Sequence, residues 1–97
     1  MFEFCLEMIL VDKEYDDIES GRTKKICRSA TTYWLSQIKT VAMTVDNELV
    51  LYSDATILLQ KTYRKNRPTM KFKIQKITIE QQEDAPMIVI ELGERIE

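Results

Sequence analysis

From Phe2 to Val11 the chain alternates. Phe2, Phe4, Leu6, Met8 and Leu10 fall on one face, and Glu3, Cys5, Glu7, Ile9 and Val11 on the other. Successive side chains of an extended backbone point to opposite faces, so a sustained period of two describes a strand with one face on a core. The same logic extends along the chain. Apolar runs at 40–45 and 48–53 flank Asp46 and Asn47, two residues that tolerate the positive φ of a tight hairpin turn. "TKKICRS" reads as a short strand with Ile26 inward, and "TILLQKTY" as another. "RKNRPT" reads as a loop, because Pro68 has no N–H to give a ladder.

"MKFKIQKITIEQ" carries a phase slip. Met70, Phe72 and Ile74 alternate, then Ile77 and Ile79 alternate out of step. One extra residue near Gln75 or Lys76, a β-bulge, restores the register. "PMIVIELGE" is apolar on both faces and reads as an interior strand. Between the first two strands, "DKEYDDIES" predicts one short helix near residues 13–20, with Asp12 as its cap and Tyr15 and Ile18 toward the core. Gly21 suits the left-handed position that ends such a helix. "ATTYWLSQIKT" reads as a loop with a helical turn. The expectation is a single domain over 1–97, α+β but mainly β, built as a small six- to seven-stranded barrel.

Composition narrows the function. Hydrophobic residues at 44% and charged residues at 31% describe a globular chain. The apolar runs "MIVI" and "ILL" fall far short of the ~20 residues of a membrane helix. Glu3 and Glu7 interrupt the N-terminal apolar stretch, which has no basic leader, so the expectation is a cytoplasmic protein with no membrane partner. There is no histidine, which removes His-based triads and the usual zinc sites. Neither a metal nor a cofactor is expected. Cys5 and Cys27, the two cysteines, are expected to be small buried hydrophobes.

Charge is sorted along the chain. Residues 1–20 hold one Lys against seven acids, net −6. Residues 21–76 hold twelve Lys or Arg against three acids, net +9. Residues 77–97 hold one Arg against six acids, net −5. Two basic clusters stand out: Arg22, Lys24, Lys25 and Arg28, and Lys61, Arg64, Lys65, Arg67, Lys71 and Lys73. Cations interleaved with aromatics suit a single-stranded nucleic acid, whose phosphates meet the charges and whose bases stack on rings. Strand parity turns Phe72 away from Lys71 and Lys73, which leaves Tyr63, Tyr33 and Trp34 as stacking residues. A second explanation needs no ligand: acidic termini lying beside basic middle strands would pair across the sheet.

The stretch "FCLEMILVDKEYDDIESGRTKKICR" resembles the start of ASCH-type domains of the PUA-like superfamily. Those open with a strand, a short helix carrying an aromatic and an aliphatic, a Gly turn, and a strand of the form G-x-K-T-x-E-x-R. Tyr15, Ile18, Ser20, Gly21 and Arg28 stand at matching places, and "MIVIELGE" is similar to the closing strand. The likeness covers about the first third and the last strand. It implies a small barrel with a basic cleft for RNA or a nucleotide-like ligand, and places Arg28 as a ligand or structural contact near the barrel mouth. Some small members are amidohydrolases of N4-acetylcytidine that use Lys, Thr and Glu. That activity would fall to Lys24 and Thr23, but here the two are exchanged in order and the Glu position is Ile26. Lys24 lies among Arg22, Lys25 and Arg28, neighbours that lower a lysine pKa if the site is buried.

The leading expectation is therefore a PUA-like module that binds RNA or a nucleotide-like ligand. Its contacts would be Arg22, Lys24, Lys25, Arg28, Tyr33, Trp34, Lys61, Tyr63, Arg64, Lys65, Arg67, Lys71 and Lys73. One alternative is a protein-interaction module, such as a small phage or mobile-element inhibitor of a host protein. The other is an N4-acetylcytidine amidohydrolase-like enzyme.

Overall fold

The computed structural model describes residues 4–62 and 68–97, and the chain is mainly β. The elements run β1 (Cys5–Leu10), α1 (Asp12–Glu19), β2 (Lys25–Ser29), α2 (Thr32–Ile38), β3 (Ala42–Val45), β4 (Glu48–Leu51), β5 (Thr56–Lys61), β6 (Thr69–Gln81) and β7 (Pro86–Arg95). Five strands form one sheet in the order β1-β5-β6-β7-β2, curled into a half-barrel. The β1–β5 pair is parallel and the other ladders of this sheet are antiparallel. β3 and β4 form a separate two-stranded sheet. The strands thus divide between a curled sheet and a hairpin, whereas the sequence pattern led us to expect one barrel. Among the described residues β1 and β2 are the edges of the larger sheet.

The first strand lies as its alternation requires. Leu6, Met8 and Leu10 are buried while Glu7 and Ile9 are exposed. Its inward face meets Ile57 and Leu59 of β5, Met70 and Phe72 of β6, Ile90 and Leu92 of β7, and Ile26 of β2 in one core. Burying each such side chain stabilises the fold by about 1.5–3 kcal/mol relative to exposure. Tyr15 and Ile18 of α1 and Ile38 of α2 belong to the same cluster.

The phase slip in β6 is a register irregularity, with shifts between Phe72 and Ile74 and between Ile74 and Lys76. Gln75 and Lys76 are both exposed, and Ile74 and Ile77 are both buried. Gly93 faces this irregularity on β7, where a Cβ would come within 3.2 Å of the Lys73 carbonyl oxygen. The β3–β4 turn has the anticipated backbone, with φ of 51° at Asp46 and 64° at Asn47. Gly21 has φ of 82°, and its N–H donates to the Ile18 carbonyl at 3.1 Å to close α1.

Three local expectations need correction. The 30–40 region is a second helix rather than a loop with one turn. Thr31 caps it, accepting from the Trp34 N–H through its side chain at 3.3 Å and from the Leu35 N–H through its carbonyl at 2.9 Å. Asp12 lies inside the first turn of α1, and the N-cap is Val11, which has no capping side chain. Cys27 is exposed, because strand parity turns it away from the buried Ile26, while Cys5 is half-buried.

Candidate functional site

Six ion pairs join described residues, and every one links the basic middle block to an acidic terminal block. Three are close: Arg28–Glu14 at 2.7 Å, Lys61–Asp16 at 2.9 Å and Arg22–Asp17 at 3.4 Å. Three are looser at 3.9 Å: Lys25–Glu91, Lys71–Glu97 and Lys73–Glu94. The chain folds its acidic ends onto its basic middle, so much of the charge sorting is satisfied within the fold.

The two basic clusters lie on opposite sides of β7. The first belongs to the Gly21 turn and edge strand β2, while Lys61, Lys71 and Lys73 stand on β5 and β6. Glu91 of β7 pairs in register with Lys25 on one side and Lys76 on the other, placing a carboxylate between the clusters. Lys61 is committed further, with its ammonium 5.7 Å from the Tyr15 ring centre. Tyr63, Arg64, Lys65 and Arg67 lie outside the described residues.

Arg28 is the most constrained of the expected contacts. Both of its terminal nitrogens donate to the Glu14 carboxylate, at 3.0 and 2.7 Å, and one also donates to the Cys27 carbonyl at 2.7 Å. Its guanidinium lies 5.8 Å from the Trp34 ring centre. Trp34 is half-buried against the core, and Tyr33 meets it edge-on at 5.0 Å while remaining 62% exposed. Among the described residues, Tyr33 is therefore the aromatic ring with most surface left for a base.

A cleft of about 350 Å³ opens where α1, the Gly21 turn and β2 meet, lined by Val11, Lys13, Glu14, Asp17, Thr23 and Lys25. Local structure explains this set. Gly21 reverses the chain after α1, and the Thr23 N–H donates to the Asp17 carbonyl at 3.2 Å. That bond holds Thr23 against the helix end. The Lys24 carbonyl then accepts from Leu92 N–H at 2.8 Å and starts the β2–β7 ladder. Glu14 and Asp17 already hold Arg28 and Arg22. The cleft's two cations are freer: Lys13 forms no ion pair among the described residues, and Lys25 is exposed and only loosely paired.

Lys13 was hidden from sequence reasoning because it sits alone among seven acids. Its position one residue before Glu14 on a short helix, close to the Gly turn, was the available signal. For the hydrolase expectation, Lys24 is exposed and Ile26, at the position of the family's Glu, is completely buried. No cluster of three or more Cys, Asp or Glu side chains among the described residues suits a metal ion. No helix among them is long and apolar enough to cross a membrane. No family model matches the chain, and no curated protein matches it.

Proposed function

We propose that the chain is a PUA-like binding module that takes single-stranded RNA or a nucleotide-like ligand at the cleft beside Gly21. The observation that carries this reading is the convergence there of cations the fold does not tie down. Lys13, Lys24, Lys39 and Lys76 form no ion pair among the described residues; Lys13 lines this cleft with Lys25 and Thr23, and Lys24 stands between those last two along the chain. Lysines meet phosphates, a threonine hydroxyl bonds a sugar or phosphate oxygen, and the exposed Tyr33 offers a stacking face. The curled, mainly β architecture supports the PUA-like assignment. Binding fits the residues better than catalysis, since the buried Ile26 supplies no carboxylate for a Lys–Thr–Glu mechanism.

Fluorescence polarisation with a cytidine- and uridine-rich oligonucleotide tests this. Affinity should fall with salt by about 0.7 log units per phosphate contact per log unit of salt. Lys13→Glu, Lys24→Glu and Lys25→Glu together should abolish binding, while Lys71→Glu with Lys73→Glu should leave it nearly unchanged. Salt-independent binding, or a triple variant that binds as well as the parent, removes the cleft from the reading.

A further inference from the structure

β6 outruns one of its neighbours. β5 follows it only as far as the Thr56–Lys73 pair, whereas β6 continues to Gln81 with β7 on its other side. The ladders fix which way each peptide group of β6 points. The Leu92 N–H donates to the Lys24 carbonyl and the Ala30 N–H to the Pro86 carbonyl, so the even-numbered residues of β7 from 86 to 92 face β2. Between them Met87, Val89 and Glu91 face β6, opposite Glu80, Thr78 and Lys76. The N–H and C=O groups of Ile77 and Ile79 therefore point away from β7, to a side where no ladder meets them among the described residues.

This open edge borders a groove of about 670 Å³ between β6 and β4, lined by residues 47–51 and 75–79. The groove carries one acid, Glu48, and one lysine, Lys76, so its net charge selects neither an acidic nor a basic partner. Ile79 on β6 and Val50 on β4 are 44% and 45% exposed. Lys76, Thr78 and Glu80 alternate with the buried Ile77 and so share the sheet's outer face. Neither Lys76 nor Glu80 forms an ion pair among the described residues. When two such edges run antiparallel, the free groups of residues 77 and 79 meet, so Ile77 stands opposite the partner's Ile79. That register sets Lys76 opposite the partner's Glu80 and puts Thr78 on the two-fold axis. The edge is thus complementary to a second copy of itself, in backbone, in charge and in apolar side chains.

We propose that the chain forms a two-fold symmetric dimer through residues 75–81 of β6. The Ile77 N–H donates to the partner's Ile79 carbonyl, and the partner's Ile79 N–H donates to the Ile77 carbonyl. On the outer face Lys76 pairs with the partner's Glu80, twice by symmetry, and Thr78 meets the partner's Thr78. On the other face the partner's strand covers the exposed parts of Ile79 and Val50. The two copies then share one continuous sheet running from β2 through β7 and β6 of each. A contact of one strand is short, so the dimer forms with rising concentration rather than obligately. It lies on the far side of β7 from β2 and the lysine cleft, and holds whatever that cleft binds.

Sedimentation velocity across a wide concentration series, with NMR on a mixture of isotope-labelled and unlabelled chain, tests this. The parent should pass from monomer to dimer, with intermolecular NOEs joining Ile77 to Ile79. Lys76→Glu and Glu80→Lys each set like charges opposite one another at two symmetric places and should weaken the dimer about tenfold. Lys76→Glu with Glu80→Lys in one chain reverses both pairs and should recover it. Mixing the two single variants should recover it as well, because each altered residue then meets its opposite charge. Ile79→Pro removes a donor that faces the open edge and takes no bond from the β6–β7 ladder, so it should abolish the dimer while the amide spectrum shows a folded monomer. The proposal is overturned by a chain that stays monomeric throughout, by a charge exchange that recovers nothing, by a dimer that survives Ile79→Pro, or by NOEs that join other residues.

Discussion

The Arg28–Glu14 contact should behave as a structural clamp. α1 is only eight residues long and has no capping side chain, so little intrinsic propensity holds it in place. Glu14 ties its first turn to β2 through two hydrogen bonds of 3.0 and 2.7 Å. The side chains are 22% and 28% exposed, which places the pair between a surface ion pair and a buried one. Exposed pairs couple by about 0.2–1 kcal/mol, and hydrogen bonds to charged groups contribute about 1.5–3 kcal/mol. With water at roughly a quarter of each side chain, a coupling of about 1–2 kcal/mol is expected. Loss of the contact with Trp34 removes a further ~0.5–1 kcal/mol. Arg28→Met, which keeps an apolar stem, should therefore cost about 2 kcal/mol and lower Tm by about 10 °C for a domain this size. The assay is a double-mutant cycle by urea denaturation over the parent, Arg28→Met, Glu14→Gln and the pair. Amide exchange in α1 should rise in both single variants. A coupling below about 0.3 kcal/mol would refute the clamp and return Arg28 to the set of side chains available to a ligand.

Other outcomes follow from the same geometry. Burial, followed by the nearby Glu19 carboxylate, raises the Tyr15 hydroxyl pKa above its ordinary value. The neutral phenol is favoured in the fold, so its contribution is complete below about pH 10 and is lost as pH climbs through the raised value. Between about pH 8 and pH 11 the parent should lose stability more steeply than Tyr15→Phe in urea titrations; parallel slopes would contradict this. Asn47→Val puts a β-branched residue at a φ of 64° and should cost about 1–3 kcal/mol in thermal unfolding, whereas Asn47→Gly should be neutral or stabilising. Gly93→Ala must push a Cβ against the Lys73 carbonyl at 3.2 Å and should cost about 1–3 kcal/mol. Gly21→Ala meets open space and pays only for its φ of 82°, about 1–2 kcal/mol; a larger loss at position 21 than at 93 would reverse the steric argument.

Local backbone chemistry was legible in the sequence, and spatial neighbours were not. The alternation before Val11, the irregularity between Phe72 and Lys76, the positive φ at Asp46 and Asn47 and the inward Ile26 each depend on a few adjacent residues. The parallel β1–β5 pair joins Cys5 to Thr56, and no short window contains both sides of that contact. α2 was obscured because its seven residues give little periodicity, and its start depends on one threonine hydroxyl. The charge blocks show the consequence for function. Counted along the chain, residues 21–76 form a basic block; in the fold, α1, β7 and Glu97 beyond it bring carboxylates to Arg22, Lys25, Arg28, Lys61, Lys71 and Lys73. A cation's availability depends on what lies across the sheet from it, and sequence order does not contain that information. Lys13 illustrates the converse. It belongs to the most acidic block, yet it stands in the cleft without an ion pair because Glu14 and Asp17 are held by arginines. The same arginine contacts that anchor α1 thus keep two carboxylates from neutralising the cleft's lysines. Weakening Arg28–Glu14 should therefore lower anion affinity there even though Arg28 touches no ligand.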